Sequence, residues 1–388
     1  MYNFDKVVNR KGTNCAKWDG PIHDYNNENI IPMWVADMDF EVAKPIVDRI
    51  VKRCAHPVFG YARKDEVAFE AIVKHFNTKC NHTITSEDIV LSTGVVYSID
   101  ACVRLFSEAG DKIMIHAPAY PPFRGVPTGN GRIIVDTLMK VEDGKYVFDF
   151  EDMEAKVEGC KMFILCNQQN PTGRLFTKEE LEKVAAFCEK HNLLVVCDEI
   201  HADFIFDGRS FVPFMDINEW TKNNTITCVS CTKTFNLAGL KVSGVFIKNK
   251  EIRDKFVAQT SSSGLQSINI FGLEAVKAAY EECEDWLEQL VQYLQNNRDY
   301  TLDYIAKHIP QIKVLKSEAT YLLWLDMSCM NVECPQKELL EKTNVFFNDG
   351  KTFGKEYANF VRMNLACPRS QVTAALDALK QYFDKKGE

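Results

Sequence analysis

The segment Ser230–Gly244, SCTKTFNLAGLKVSG, follows the apolar run TITCV and sets one lysine, Lys233, among hydroxyl-bearing and small neighbours. A lysine at the end of a buried strand carries a desolvation cost. An amine whose pKa is lowered by burial or by nearby cations can form a Schiff base with a carbonyl. Three other apolar runs also end in polar groups: DIVLS leads to Thr93-Gly94-Val95-Val96, KMFIL to CNQQNPTG with Asn170, and LLVVC to DEIHAD with Asp198 and His201. Gly94 with the Val95 and Val96 amides at a helix start makes an anion seat, and Ser230 adds a hydroxyl to it. Asp198 asks for a cationic or N–H partner, while Asn170 and His201 can donate to an oxygen. A phosphate, a ring nitrogen, a phenolic oxygen and an aldehyde together describe pyridoxal phosphate.

The elements that must hold these groups are legible as a pattern. Seven β-branched runs, DIVLST, DKIMIHA, RIIVDTL, KMFILCN, LLVVCDE, TITCVSC and VSGVFIK, are apolar nearly throughout rather than alternating, with amphipathic stretches between most of them. Such strands belong to a mostly parallel sheet covered by helices on both faces, and ligands of open parallel sheets bind beyond the carboxyl ends of the strands. Thr177 with Glu180 three residues later predicts a capped helix start before LEKVAAFCEKH. From about Phe271 the texture turns to long helical periodicity, then to ATYLLWLDMS, NVFFNDG and FVRMNLACP between helical segments, which reads as a smaller α+β unit. The expected organisation is an arm over residues 1–40 without helical period that joins the small domain, a large cofactor-binding domain over 41–285, and a small C-terminal domain over 286–388.

Composition narrows the classes. A chain of 388 residues, 46% hydrophobic and 26% charged, with net charge −8, has no clustered basic surface for nucleic acid. Its start lacks an apolar signal core and nowhere do about 18 apolar residues run uncharged, so no membrane association and a cytoplasmic location are expected. The fourteen cysteines are scattered, many inside apolar runs, and read as buried thiols. Cys228 and Cys231 have C-x-x-C spacing but no second ligand pair, so no metal is expected. The DGKT at Asp349–Thr352 lacks the first glycine of a P-loop, since Val345 stands there, and no G-x-G-x-x-G follows a strand. Each polar strand end alone has an ordinary use: a tight turn at Gly94, a turn at NPTG, a helix cap at Asp198. Their joint occurrence in this order sets them apart.

NPTG, DEIH and SCTKTFNLAGL in this order resemble the fold-type-I pyridoxal-phosphate enzymes of the class I and II aminotransferase superfamily. The finer pattern of IPMWVADMDF, FGY at Phe59–Tyr61, PAYPPF, DEIHAD, TKTFNLAGL, ATYLLWLD and VRMNLACPR resembles the MalY/PatB-type carbon–sulfur lyases, cystathionine β-lyases and cystalysin among them, from about Ile30 to Arg369. The resemblance implies an α/β fold and a covalent link between Lys233 and the cofactor, with Lys233 later the base at the substrate Cα. It implies Asp198 on the pyridine N–H, Asn170 and His201 on the ring oxygen, and Tyr120 stacked on the ring. Gly94, Val95, Val96 and Ser230 would take the phosphate, and Tyr61 would reach it from a neighbouring subunit of a homodimer. Arg362 would clamp the substrate α-carboxylate, with Ala36, Asp37 and Tyr120 beside the substrate. Two positions depart from the pattern: Lys241 stands where many aminotransferases carry a phosphate-binding arginine, and Pro121 where some lyases have a second tyrosine. The implied activity is α,β-elimination of L-cystathionine, and also of L-cystine or L-cysteine, to a thiol, pyruvate and ammonia. The alternatives are an aminotransferase acting on an amino acid and a 2-oxo acid, and a regulatory protein that retains the cofactor site.

Overall fold

The computed structural model describes residues 1–265 and 267–387. The seven apolar runs form one sheet: β1 (Ile89–Ser92), β2 (Lys112–Ala117), β3 (Ile133–Leu138), β4 (Cys160–Cys166), β5 (Leu194–Asp198), β6 (Thr225–Val229) and β7 (Ser243–Phe246), in the order β1-β7-β6-β5-β4-β2-β3. All neighbours are parallel except the two pairs made by β7. The unbroken hydrophobicity has a direct cause. Ile113, Ile115, Met162, Ile164 and Val196 point into one core, while Met114, Phe163, Leu165, Val195 and Cys197 point into another on the opposite face. Successive side chains of a strand face opposite sides, so a sheet buried on both needs apolar residues at every position.

Helix α1 (Glu66–Lys79) packs in a third cluster around Phe76, Phe246 and Trp286, and helix α2 (Val95–Phe106) lies on the β2-to-β7 side through Ile99, Cys102 and Val103. Helix α3 (Lys178–Lys190) begins at the Thr177–Glu180 capping box, with Glu180 N donating to Thr177 Oγ1 at 3.2 Å and Thr177 N to Glu180 Oε2 at 2.7 Å. The long helical stretch is two helices, α4 (Ile270–Glu282) and α5 (Glu284–His308). Beyond them a four-stranded antiparallel sheet, in the order β8-β9-β11-β10, is built from β8 (Lys313–Val314), β9 (Leu322–Asp326), β10 (Asn348–Asp349) and β11 (Phe360–Asn364), with helix α6 (Arg369–Gly387) beside it.

The NPTG turn couples the two sheets. The Gly173 carbonyl accepts from Glu318 N at 2.8 Å and Ala319 N at 2.9 Å. Gly173 has φ +71°, and a Cβ there would sit 2.9 Å from the Ala319 carbonyl oxygen, so glycine is required both by backbone and by space.

The arm, expected to be without helical period, contains one helix. Asp19–Tyr25 forms a helix, seated by the Asp19 carboxylate accepting from Gly12 N at 2.8 Å and Cys15 N at 2.9 Å. Seven residues are too short to display a helical period. Further on, Ile31–Pro32 pairs in parallel with Val345–Phe346, and Asn364 Nδ2 donates to the Val35 and Asp37 carbonyls, both at 2.7 Å.

From the other side the arm is gripped by Asn236, just past the lysine. Its Nδ2 donates to the Met38 and Phe40 carbonyls at 3.0 and 3.1 Å, and its Oδ1 accepts from Met38 N at 3.0 Å. Asn236 has φ +58°, which asparagine and glycine tolerate. Asn236→Gly therefore removes the three bonds without straining the backbone, and is expected to cost about 2 kcal/mol of unfolding free energy by denaturant titration. A loss below about 0.5 kcal/mol would mean that Asn236 does not hold the arm.

Candidate active site

The carboxyl ends of β4, β5 and β6 and the start of α2 open on one cavity of about 390 Å³, lined among others by Ala36, Gly94, Val95, Val96, Tyr120, Asn170, Asp198, His201, Lys233, Lys241 and Arg362. That volume lies in the range of small-molecule sites.

Lys233 sits in the short helix Cys231–Thr234 after β6, and its Nζ donates to the Ala36 carbonyl at 2.5 Å. The same carbonyl accepts from the Tyr321 hydroxyl at 3.2 Å. Burial and then the Arg362 charge lower the Lys233 pKa from 10.5 to about 8. Asp198 closes β5 with its Oδ1 accepting from Ile200 N at 3.1 Å. Among the described residues it enters no ion pair, and burial raises its pKa to about 7. His201, three residues on, has a buried Nδ1 without partner, and burial depresses its pKa to about 3, so the ring is neutral.

Arg362 projects from β11 and is 3% exposed. Its partners are neutral oxygens: Asn170 Oδ1 at 3.0 Å, Asn348 Oδ1 at 2.6 Å and the Trp34 carbonyl at 3.2 Å. The guanidinium lies 5.0 Å over the Phe353 ring, its Nε is unpaired, and burial lowers its pKa to about 10. At neutral pH it is thus a buried cation with no carboxylate, which favours an anionic ligand.

The remaining candidates divide. Gly94 is the N-cap of α2, so the first helix amides, Val95 and Val96, have no intrahelical acceptor, and all three residues line the same cavity as Lys241. Tyr120 is on the wall, and burial with the Asp198 charge raises its pKa. Ser230 is set behind the wall: its hydroxyl donates to the Val242 carbonyl at 2.6 Å and caps the lysine helix, and Thr232 takes the place on the cavity. Asp37 likewise lies off the wall, its carboxylate on Arg10 at 2.8 Å, while Ala36 is on it. Tyr61 is fully exposed, beside a separate surface hollow with Arg53, Arg63 and Lys64, and lies outside the Lys233 cavity of its own chain. Cys228 and Cys231 are both free and buried, in different cores.

Several residues of the site had no sequence signal. Thr93 and Thr232 stand within the strand-end motifs, while Asn348 and Phe353 reach the wall from NDGKTF, whose first residues read as part of the small α+β unit and whose DGKT lacks the first glycine of a P-loop. Behind the lysine, Asp203 Oδ2 accepts from Thr234 Oγ1 at 2.6 Å and Asp203 Oδ1 pairs with His75 Nε2 at 2.7 Å. With Cys80 these are the one trio of metal-ligand type among the described residues, and they bond to each other.

Pyridoxal phosphate fits this donor set. A ring N–H would give Asp198 the cation it lacks, His201 and Asn170 line the same cavity, and the α2 amides with Lys241 offer a phosphate seat. Capture of the aldehyde needs the neutral amine. With a pKa near 8 about one Lys233 in ten is neutral at pH 7, against about three in ten thousand at the ordinary value. Cofactor capture by the apoprotein, followed by absorbance, is expected to rise about fivefold from pH 7 to pH 8 and to level off above about pH 9. A rate still climbing about tenfold per pH unit at pH 9.5 would contradict the lowered pKa.

The aminotransferase class I and II family model matches residues 32–379. Cystathionine beta-lyase PatB of Bacillus subtilis (strain 168) is 34% identical over 97% of this chain and 99% of that protein. Protein MalY of Escherichia coli (strain K12) is 33% identical over 98% of each. The crystal structure of cystalysin from Treponema denticola, which contains pyridoxal 5'-phosphate, superposes with a TM-score of 0.95 at 30% identity over 99% of both chains. With its α/β fold and its lysine-centred cavity, the chain belongs to the class I and II aminotransferase family of pyridoxal-phosphate enzymes, in the MalY/PatB-type carbon–sulfur lyase branch.

Proposed function

We propose that this enzyme cleaves the Cβ–S bond of L-cystathionine by α,β-elimination, releasing a thiol, pyruvate and ammonia, with L-cystine and L-cysteine as further substrates. The observation that carries the reading is the pair Lys233 and Arg362, which face one cavity with no carboxylate partner among the described residues. Relatives named cystathionine beta-lyase, matched over 97% and 90% of this chain, support the choice of bond.

Pyridoxal phosphate, when bound, supplies an electron sink conjugated to the substrate α-carbon. Arg362 takes the α-carboxylate with two N–H donors and so sets the rotation about Cα. Lys233, held by the Ala36 carbonyl, removes the Cα proton as the neutral amine that its lowered pKa makes available. The electron pair left at Cα expels the β-thiolate, which takes the proton from the Lys233 ammonium and departs as the thiol, and the three-carbon fragment leaves as an enamine that water converts to pyruvate and ammonia. Asp198 would keep the ring nitrogen protonated, His201 and Asn170 would donate to the ring oxygen, and Tyr120 would cover the ring. Gly94, Val95 and Val96 would hold the phosphate, with Thr232 on the cavity wall as hydroxyl donor and Ser230 capping the lysine helix behind it.

The exposure of Tyr61 supports a homodimer in which it completes the partner's phosphate site. Among the described residues no helix is long and apolar enough to cross a membrane, and the proposed location is the cytoplasm. The proposed organisation is the arm of residues 1–40, the large domain of 41–285 and the small domain of 286–388.

L-Cystathionine with the loaded enzyme and no 2-oxo acid is expected to yield pyruvate continuously, and Lys233→Ala to lower the rate at least about a thousandfold. Absence of pyruvate, with glutamate formed once 2-oxoglutarate is added, would replace the lyase by the aminotransferase. An unchanged biological effect of Lys233→Ala would favour the regulatory reading.

A further inference from the structure

Asn348 lies directly opposite Arg362 in the β10–β11 register, so both side chains stand on one face of the small sheet. The contact is short, 2.6 Å from Arg362 Nη2 to Asn348 Oδ1, and Asn348 is itself on the cavity wall. A guanidinium carries donors only, so the amide atom facing it must be the oxygen. The Asn348 NH2 is thereby turned away from Arg362, and among the described residues it makes no hydrogen bond. The backbone beneath is fixed: a Cβ at Gly350 would lie 2.7 Å from the Phe360 carbonyl carbon, so β10 has to run flush against β11. Arg362 also keeps an unpaired buried Nε, and every partner it has is neutral. A carboxylate at position 348 would instead fill the clamp from within.

We propose that Asn348 is the second half of the carboxylate clamp: its oxygen orients Arg362 without neutralising it, and its NH2 donates to the bound α-carboxylate. The inference rests on the reading of Arg362 as the carboxylate-binding residue. It makes Asn348 a determinant of selectivity for a free α-carboxylate over an uncharged carboxamide or ester, with no part in the proton transfer at Cα. Its signature is a change in KM at preserved kcat.

The test compares an S-substituted L-cysteine with its α-carboxamide, by thiol release, in the loaded wild type, Asn348→Asp, Asn348→Ser and Arg362→Lys. Asn348→Asp, of equal size, is expected to raise KM for the free acid about a hundredfold with kcat within about threefold, to leave KM for the carboxamide within about threefold, and to keep the bound-cofactor absorbance. Asn348→Ser is expected to raise KM for the acid about tenfold. KM for the acid unchanged within about twofold in both variants, or equal losses on acid and carboxamide, would overturn the proposal. If Asn348→Asp fails to retain cofactor, the serine variant decides by the same criterion. Arg362→Lys separates the two levels: if it keeps the preference for the acid, the underlying role of Arg362 fails; if it loses the preference while the Asn348 variants keep theirs, only Asn348 is wrong.

Discussion

Two cations, Lys233 and Arg362, are held against one largely buried cavity by carbonyl and amide oxygens instead of carboxylates. A buried charge paired to a carboxylate would be satisfied and inert towards a ligand; these two are positioned but not neutralised. That constraint accounts for the rest of the site. The Ala36 carbonyl can hold the amine only because the arm is threaded between Asn236 on one side and Asn364 on the other. Arg362 can stay charged without an ion pair because Asn170, Asn348 and Trp34 supply oxygens and Phe353 a ring face. Asp198, the acidic group on the same wall, is likewise kept unpaired, and burial pushes it towards neutrality. Acid and cations share the cavity without meeting, so each remains free for a different part of a ligand.

The fold creates this separation by bringing groups from distant segments to one place. The carboxyl ends of parallel strands point the same way, so Asn170, Asp198 and Lys233 arrive together without any special contact between them. The small sheet brings Arg362 and Asn348 from the far side, anchored through the Gly173 carbonyl. Behind the lysine, the Thr234–Asp203–His75 chain ties its short helix to α1, whose N-terminal end adjoins the exposed Tyr61 segment.

What the sequence disclosed and what it hid follow from the same physics. The seven strands were legible because both faces of the sheet are buried, which forces unbroken apolar runs, and the Thr177 helix start because a capping box is local. Lys233, Asp198, His201 and Asn170 were legible because each lies at the end of such a run or within four residues of it. The Asp19–Tyr25 helix was hidden, since its support is the Asp19 carboxylate and not a periodic face. Ser230 looked like a cavity hydroxyl from its spacing, but rotation of one side chain commits it to the Val242 carbonyl. Asn348 and the His75–Asp203 pair were hidden most deeply. The first depends on antiparallel register with Arg362 and the second joins residues 128 apart in the chain, and neither leaves a trace in local pattern.

The central claim is that a single lysine, Lys233, carries the cofactor in this cavity. Borohydride reduction of the loaded protein, followed by digestion and mass spectrometry, reads this directly. The account expects one phosphopyridoxyl group per chain, on the peptide containing Lys233, with Lys241 unmodified although it lines the same cavity. A label on Lys241 or on a surface lysine, or no stable label with Lys233 intact, would contradict it.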